Sequence, residues 1–212
     1  MPHLILFDID GTLVLTGGAG SRAMTRAFRD VVGVDDGFRG IPMPGRTDPH
    51  ILADAFARAG VSVEPAVLQR FRARYVECLR EEIRAPGPRK GVLPGVRSLL
   101  DALACHDGTF LALLTGNYTD AARIKLEYFD LWRYFACGAY GEEASDRNQL
   151  VSVAVGRARM RGASQRARTR DRGWRHALGH RVRARVGRAR IRRGNRRARG
   201  GGVAGERRRR RV

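Results

Sequence analysis

An apolar strand that ends in two carboxylates constrains this chain more than any other feature. Residues 4–15 read LILFDIDGTLVL, with Asp8 and Asp10 one residue apart just behind the apolar run and Gly11 next in line. A short unbroken apolar run closed by a turn signal predicts a buried strand. Alternation at its end points Asp8 and Asp10 to the same side. Two like charges so placed repel unless a cation lies between them or one carboxyl holds a proton. A hard divalent ion such as Mg2+ takes oxygen ligands of this kind. The pair also suits a carboxylate nucleophile beside a carboxyl that moves protons. The competing reading is a turn in which both aspartates cap backbone amides. Gly11 lets the backbone turn closely beneath a phosphate, and Thr12 bonds within that turn.

The rest of the first 160 residues alternates helix and strand. Helical spacing runs over residues 21–32, with Ala23, Ala27, Phe28 and Val31 on one side. Residues 41–46 (IPMPGR) form a loop, after which Thr47 or Asp48 caps a helix from Pro49 to about Ala59. A third helix fits residues 65–83, turning Leu68, Phe71, Tyr75, Cys78 and Leu79 to a core, and residues 85–90 (APGPRK) are a linker. Pro94 opens a helix to about Ala104, and residues 110–114 form a second apolar strand that ends at Thr115, Gly116 and Asn117. A helix over 120–129, a short strand over 136–139 and a helix over 147–158 follow. Connections of this length predict an α/β fold with a parallel sheet, interrupted after its first strand by a largely helical insert. The domains expected are an α/β core of residues 1–15 and 89–160, a helical cap of 16–88, and a tail of 161–212. Parallel sheets bind ligands at the carboxyl ends of their strands, where Asp8, Asp10 and Thr115 fall.

Charge separates the tail from the rest. The net charge of +20 would suit a nucleic-acid binder. Residues 151–212, however, hold 23 arginines against two acidic groups, Asp171 and Glu206, whereas residues 1–150 are nearly balanced. A tail of this kind releases counterions from RNA or DNA without selecting a sequence, so nonspecific nucleic-acid binding is the alternative function and no specific nucleic-acid partner is expected. Its repulsive charge and sparse apolar groups predict disorder over most of 161–212. Cys78, Cys105 and Cys137 are odd in number and widely spaced, which suits reduced thiols. With no signal-peptide pattern and no apolar stretch of membrane-spanning length, the expected location is the cytoplasm.

Thr115 offers a hydroxyl, and Gly116 and Asn117 offer amides, to a phosphate near a helix N-terminus. Lys125 offers a point charge that would hold a nucleophilic carboxylate ionised, or else faces solvent. Residues 7–12 (FDIDGT), 113–117 (LLTGN) and Lys125 within 122–129 (ARIKLEYF) resemble, in order, the first three motifs of the haloacid dehalogenase-like hydrolase superfamily. The resemblance implies a three-layer Rossmann-like core with a helical cap. It also implies Asp8 as nucleophile, Asp10 as general acid and base, and Thr115 and Lys125 as phosphate holders. Mg2+ would sit on Asp8 and the Asp10 carbonyl, and the substrate would be a small phosphorylated metabolite. Asp10 favours a phosphatase over a dehalogenase, whose carbon–halogen bond needs no leaving-group protonation of this sort. Gly45, Arg46, Thr47 and Asp48 lean toward the phosphoglycolate-phosphatase-like subgroup, where Arg46 would meet a substrate carboxylate or simply lie on the surface by its turn.

The resemblance stops near Met160. The superfamily's fourth motif, Gly-Asp with another Asp a few residues on, is missing. Asp146, within 142–149 (EEASDRNQ), reads as a helix cap, and Glu142 and Glu143 read as solvated groups. Moving the codons of residues 174–183 (WRHALGHRVR) forward by one base forces Gly and then permits Asp-Thr-Pro-Trp-Asp, close to that motif. This predicts a reading-frame shift upstream of Thr169, a sheet lacking its late strands, and severely reduced activity in the chain as written.

Overall fold

The computed structural model describes residues 3–144 and 146–170. Strand β1 is His3–Phe7, and a two-residue strand β2, Val14–Leu15, follows the turn that holds Asp8 and Asp10. Three helices then form the insert: α1 Ala19–Val32, α2 Asp48–Ala59 and α3 Pro65–Glu82. Strand β3, Gly91–Val92, pairs antiparallel with β2, so the chain leaves and re-enters the core through one small clasp. After it come α4 Val96–Ala104, β4 Thr109–Leu114, α5 Thr119–Tyr128, β5 Cys137–Ala139 and α6 Gln149–Arg170.

The sheet is parallel in the order β1-β4-β5, with Phe7 opposite Leu113 and Leu114 opposite Ala139. Alternation along the strands gives it two apolar faces. Phe7, Leu111 and Leu113 pack with Val96 and Leu100 of α4 and with Ala122 and Leu126 of α5. Leu4, Leu6 and Ala112, with Ala139 of β5, meet Leu150, Ala154 and Ala158 of α6 on the other face. The result is the expected three-layer α/β core.

The insert has its own core, in which Phe28, Phe56, Phe71, Cys78 and Leu79 are fully buried. Phe28 meets Phe56 edge-on at 5.2 Å and Phe71 at 6.3 Å, and Phe71 stacks on Tyr75 at 6.0 Å. The line of rings continues from Tyr75 to Tyr118, 6.4 Å away in the loop before α5. Tyr118 and Ala121 thus belong to the insert's core, whereas Ala122 and Leu126 of the same helix belong to the sheet's.

Most described elements begin and end within about two residues of the sequence reading, and α6 departs furthest. Of the two cap candidates, Thr47 caps α2, accepting the His50 amide at 3.4 Å, and the helix begins at Asp48, one residue before Pro49. Helix α6 runs to Arg170, ten residues past the start of the expected tail. Arg, Ala and Gln are good helix formers, and the turns they add need no apolar face to follow the preceding ones. Residues 171–212, with the expected disorder, the fourth-motif position and Asp171, lie outside the described residues.

Candidate active site

Asp8 and Asp10 follow β1 directly, and the turn beyond them is closed by backbone bonds. The amides of Thr12, Leu13 and Val14 donate to the Ile9 carbonyl, and the Gly11 amide donates to the Val14 carbonyl at 3.0 Å. Gly11 has φ 76°, in the left-handed region that favours glycine. The Ile9 amide donates to Asp8 Oδ1 at 2.8 Å. Thr12 is bound into the turn through its backbone amide.

Thr115 lies just beyond β4, beside this turn, and is fully buried. Its Oγ1 accepts from Asn117 Nδ2 at 2.8 Å, and the same Nδ2 donates to Asp10 Oδ2 at 2.8 Å. Lys125 reaches in from α5, donating to Asn117 Oδ1 at 2.6 Å and to both Asp10 oxygens at 2.8 and 3.0 Å. Asp10, Asn117, Thr115 and Lys125 therefore form one network. Burial works to raise the Asp10 pKa, but the Lys125 charge and the bonds from Lys125 and Asn117 outweigh it and hold the carboxyl below its ordinary value.

Lys125 pairs with Asp10 and not with the proposed nucleophile Asp8, because its approach from α5 meets Asp10 and Asn117 first. The Asn117 amide turns back onto Thr115 Oγ1 at 3.3 Å, so of the two amides offered to a phosphate only that of Gly116 is without a protein partner among the described residues. Arg46 directs its guanidinium to Asp54 at 2.7 Å, within the insert, and only its backbone reaches the site. Glu142 and Glu143, read as solvated groups, are partly buried and hydrogen-bonded. Glu142 accepts the Thr119 amide at 3.0 Å, and Glu143 accepts the Tyr140 amide at 2.9 Å and pairs with Arg157. Asp146 accepts the Asn148 amide at 2.8 Å in the turn that leads into α6.

Sequence reasoning missed two residues. Arg147, in the loop before α6, donates from Nη2 to Asp8 Oδ2 at 2.6 Å. Nothing in the sequence distinguishes it from the other arginines, since it reaches Asp8 only once β5 and α6 are in place. Asp48, read as a helix-start residue, is buried against the Thr115–Tyr118 turn. Its amide donates to the Gly116 carbonyl at 2.7 Å, and its Oδ2 accepts the Tyr118 amide at 2.9 Å. Burial pushes its carboxyl up to about 6, against the pull of Lys125 and the Tyr118 bond.

Backbone here lies directly against backbone. A Cβ on Gly116 would overlap the Arg46 carbonyl, and one on Gly141 would overlap the Gly116 carbonyl. Neither glycine has positive φ, so closeness of approach is what requires them.

For a divalent cation, the donors are the Asp8 carboxylate, whose oxygens accept from the Ile9 amide and Arg147, and the Asp10 carbonyl, which no donor among the described residues hydrogen-bonds. These hard oxygens suit Mg2+, which keeps several waters and needs few protein ligands. No group of three or more His, Cys, Asp or Glu side chains is placed to hold a metal among the described residues.

No family model matches the chain, and no curated protein matches its sequence. Solved structures do match its fold. CbbY from Rhodobacter sphaeroides in complex with phosphate is 20% identical, with 73% of this chain and 72% of that one covered at a TM-score of 0.50. A CbbY variant in complex with xylulose-1,5-bisphosphate is 19% identical over the same shares, at a TM-score of 0.51. A predicted phosphoglycolate phosphatase from Haemophilus somnus is 19% identical at a TM-score of 0.49, and this chain covers 65% of its length. The chain shares the fold of CbbY, at TM-scores of 0.50 and 0.51. No described helix is long and apolar enough to cross a membrane.

Proposed function

We propose that the site is that of a phosphomonoester hydrolase that passes through an aspartyl-phosphate on Asp8. The observation that carries this reading is the separation of environments at the two aspartates. Asp8 has an arginine and a backbone amide on its carboxylate, whereas Asp10 is wired to Lys125, Asn117 and Thr115. Two carboxylates in unlike surroundings are suited to unlike roles.

In this reading one Asp8 oxygen attacks phosphorus, the P–O bond to the leaving alcohol breaks, and the alcohol takes a proton from Asp10. Water then attacks the aspartyl-phosphate, giving its proton back to Asp10 and releasing phosphate. The resting Asp10 is in its base form. A phosphate dianion beside it raises its pKa by like-charge repulsion and competes for Lys125, which favours the protonated form needed in the first step. Arg147 and the Gly116 amide meet the non-bridging oxygens, where charge must be held as the bond breaks. Mg2+, on Asp8 and the Asp10 carbonyl, would supply further charge neutralisation at the phosphoryl oxygens. A small phosphorylated metabolite of the kind that neighbouring structures hold fits this chemistry, and one with a carboxylate would have to draw Arg46 away from Asp54.

The test is Mg2+-dependent release of phosphate from a panel of small phosphomonoesters by the parent protein with its reading frame restored, with Asp8→Asn in the same background as the blank. Release that depends on Mg2+ and disappears in Asp8→Asn supports the reading. Equal release from parent and Asp8→Asn contradicts it.

A further inference from the structure

Asp48 stands out because its environment does not favour a carboxylate. It is the first residue of α2, yet the capping role there is held by Thr47. It is buried beside Thr47, Thr115 and Tyr118. The cation whose charge acts on it is Lys125, whose hydrogen bonds go to Asp10 and Asn117 instead. A buried carboxylate without an ion pair of its own is costly, and stability alone would favour a neutral residue.

What Asp48 does have is a pair of bonds to the other domain. Its amide is one of the orphan donors at the helix start, and it goes to the Gly116 carbonyl at 2.7 Å. Its Oδ2 takes the Tyr118 amide at 2.9 Å. The two bonds grip the turn from both sides of Asn117, the residue that joins Thr115, Asp10 and Lys125. With Gly116 and Gly141 leaving no gap for a side chain, the insert cannot shift here without pulling on this turn.

We propose that Asp48 is a positioning residue, one that couples docking of the helical insert to the shape of the turn that receives the phosphoryl group. The proposal rests on the hydrolase reading for the identity of that group. The coupling itself is a property of the two hydrogen bonds.

Hydrogen exchange of the full chain reads the coupling without turnover. Asp48→Ala removes the acceptor for the Tyr118 amide, and Asp48→Asn keeps an acceptor of the same shape. The Thr119 amide, held by Glu142 at 3.0 Å, is the internal control. Exchange at Tyr118 is expected to quicken at least about tenfold in Asp48→Ala and to stay within about threefold of the parent in Asp48→Asn, with Thr119 steady in both. Binding of inorganic phosphate in the presence of Mg2+ should weaken about tenfold in Asp48→Ala and recover in Asp48→Asn. Unchanged Tyr118 exchange in Asp48→Ala, Tyr118 and Thr119 quickening together, failure of Asp48→Asn to restore protection, or unchanged phosphate affinity in Asp48→Ala would each overturn the proposal. Absence of phosphate binding in the parent counts against the hydrolase reading, and the exchange result then decides the coupling alone.

Discussion

Each carboxylate in the site has a different neighbour, and those neighbours dictate what single substitutions do. Arg147 is the only cation on Asp8 among the described residues. Arg147→Ala should lower kcat/KM for a phosphomonoester by about 10²-fold, the scale for losing one donor aimed at developing charge. Steady-state kinetics check this, and an unchanged kcat/KM would place Arg147 outside the reaction. Asp48 allows a prediction whose sign follows from its raised pKa of about 6. The folded state binds that proton more tightly than the unfolded chain, so the stabilising effect is full below about pH 4 and is lost as pH rises through about 6. Relative to Asp48→Asn, the parent should therefore lose up to about 3 kcal/mol of stability between about pH 4 and about pH 7, at 1.36 kcal/mol per unit of pKa shift. Urea unfolding of both proteins across that range measures the difference, and a constant gap would refute it. The strand-end positions of Asp8, Asp10 and Thr115 and the helical position of Lys125 were legible in the sequence because local pattern identifies those elements, whereas the roles expected of them came from the family resemblance. Arg147 and Asp48 were not legible, because their partners lie 139 and 70 residues away and only tertiary packing brings them together.

At the level of elements, local pattern placed each α-helix and the three strands of the main sheet among the described residues, and tertiary contact decided the rest. The apolar stripe of α3 lies where periodicity put it, with Phe71, Tyr75, Cys78 and Leu79 buried. The β2–β3 clasp was illegible, since two residues on each side carry no periodicity and pair only because β1 and α4 bring them together. The end of α6 was read too early because charge was taken as a stop signal, although arginine propagates a helix well. Packing between elements yields two further expectations. Leu150→Ala, which empties a fully buried position between α6 and the sheet, should cost about 2–5 kcal/mol by urea unfolding. Gly141→Ala, which forces a methyl group against the Gly116 carbonyl, should cost about 1–3 kcal/mol. A cost near zero for Gly141→Ala would mean that the site loop and the residues after β5 are not in close contact.

Across the whole molecule, α5 is the common beam. One face, with Tyr118 just before it, closes the insert's core through Ala121, the other closes the sheet's core through Ala122 and Leu126, and Lys125 enters the site. Among the described residues β1 pairs on one side only, with β4. We propose that the missing fourth motif belongs on that side and that a frame shift removed it, leaving a chain of severely reduced activity. Sequencing the gene across the codons of residues 156–169 tests the shift directly. The central claim, that Asp8 was built to accept a phosphoryl group, is best tested by incubating the frame-restored protein with Mg2+ and a labelled phosphomonoester, quenching in acid, and mapping the label by mass spectrometry. The account predicts label on Asp8 that is lost in Asp8→Asn. A restored protein that folds but carries no label on Asp8 would contradict it.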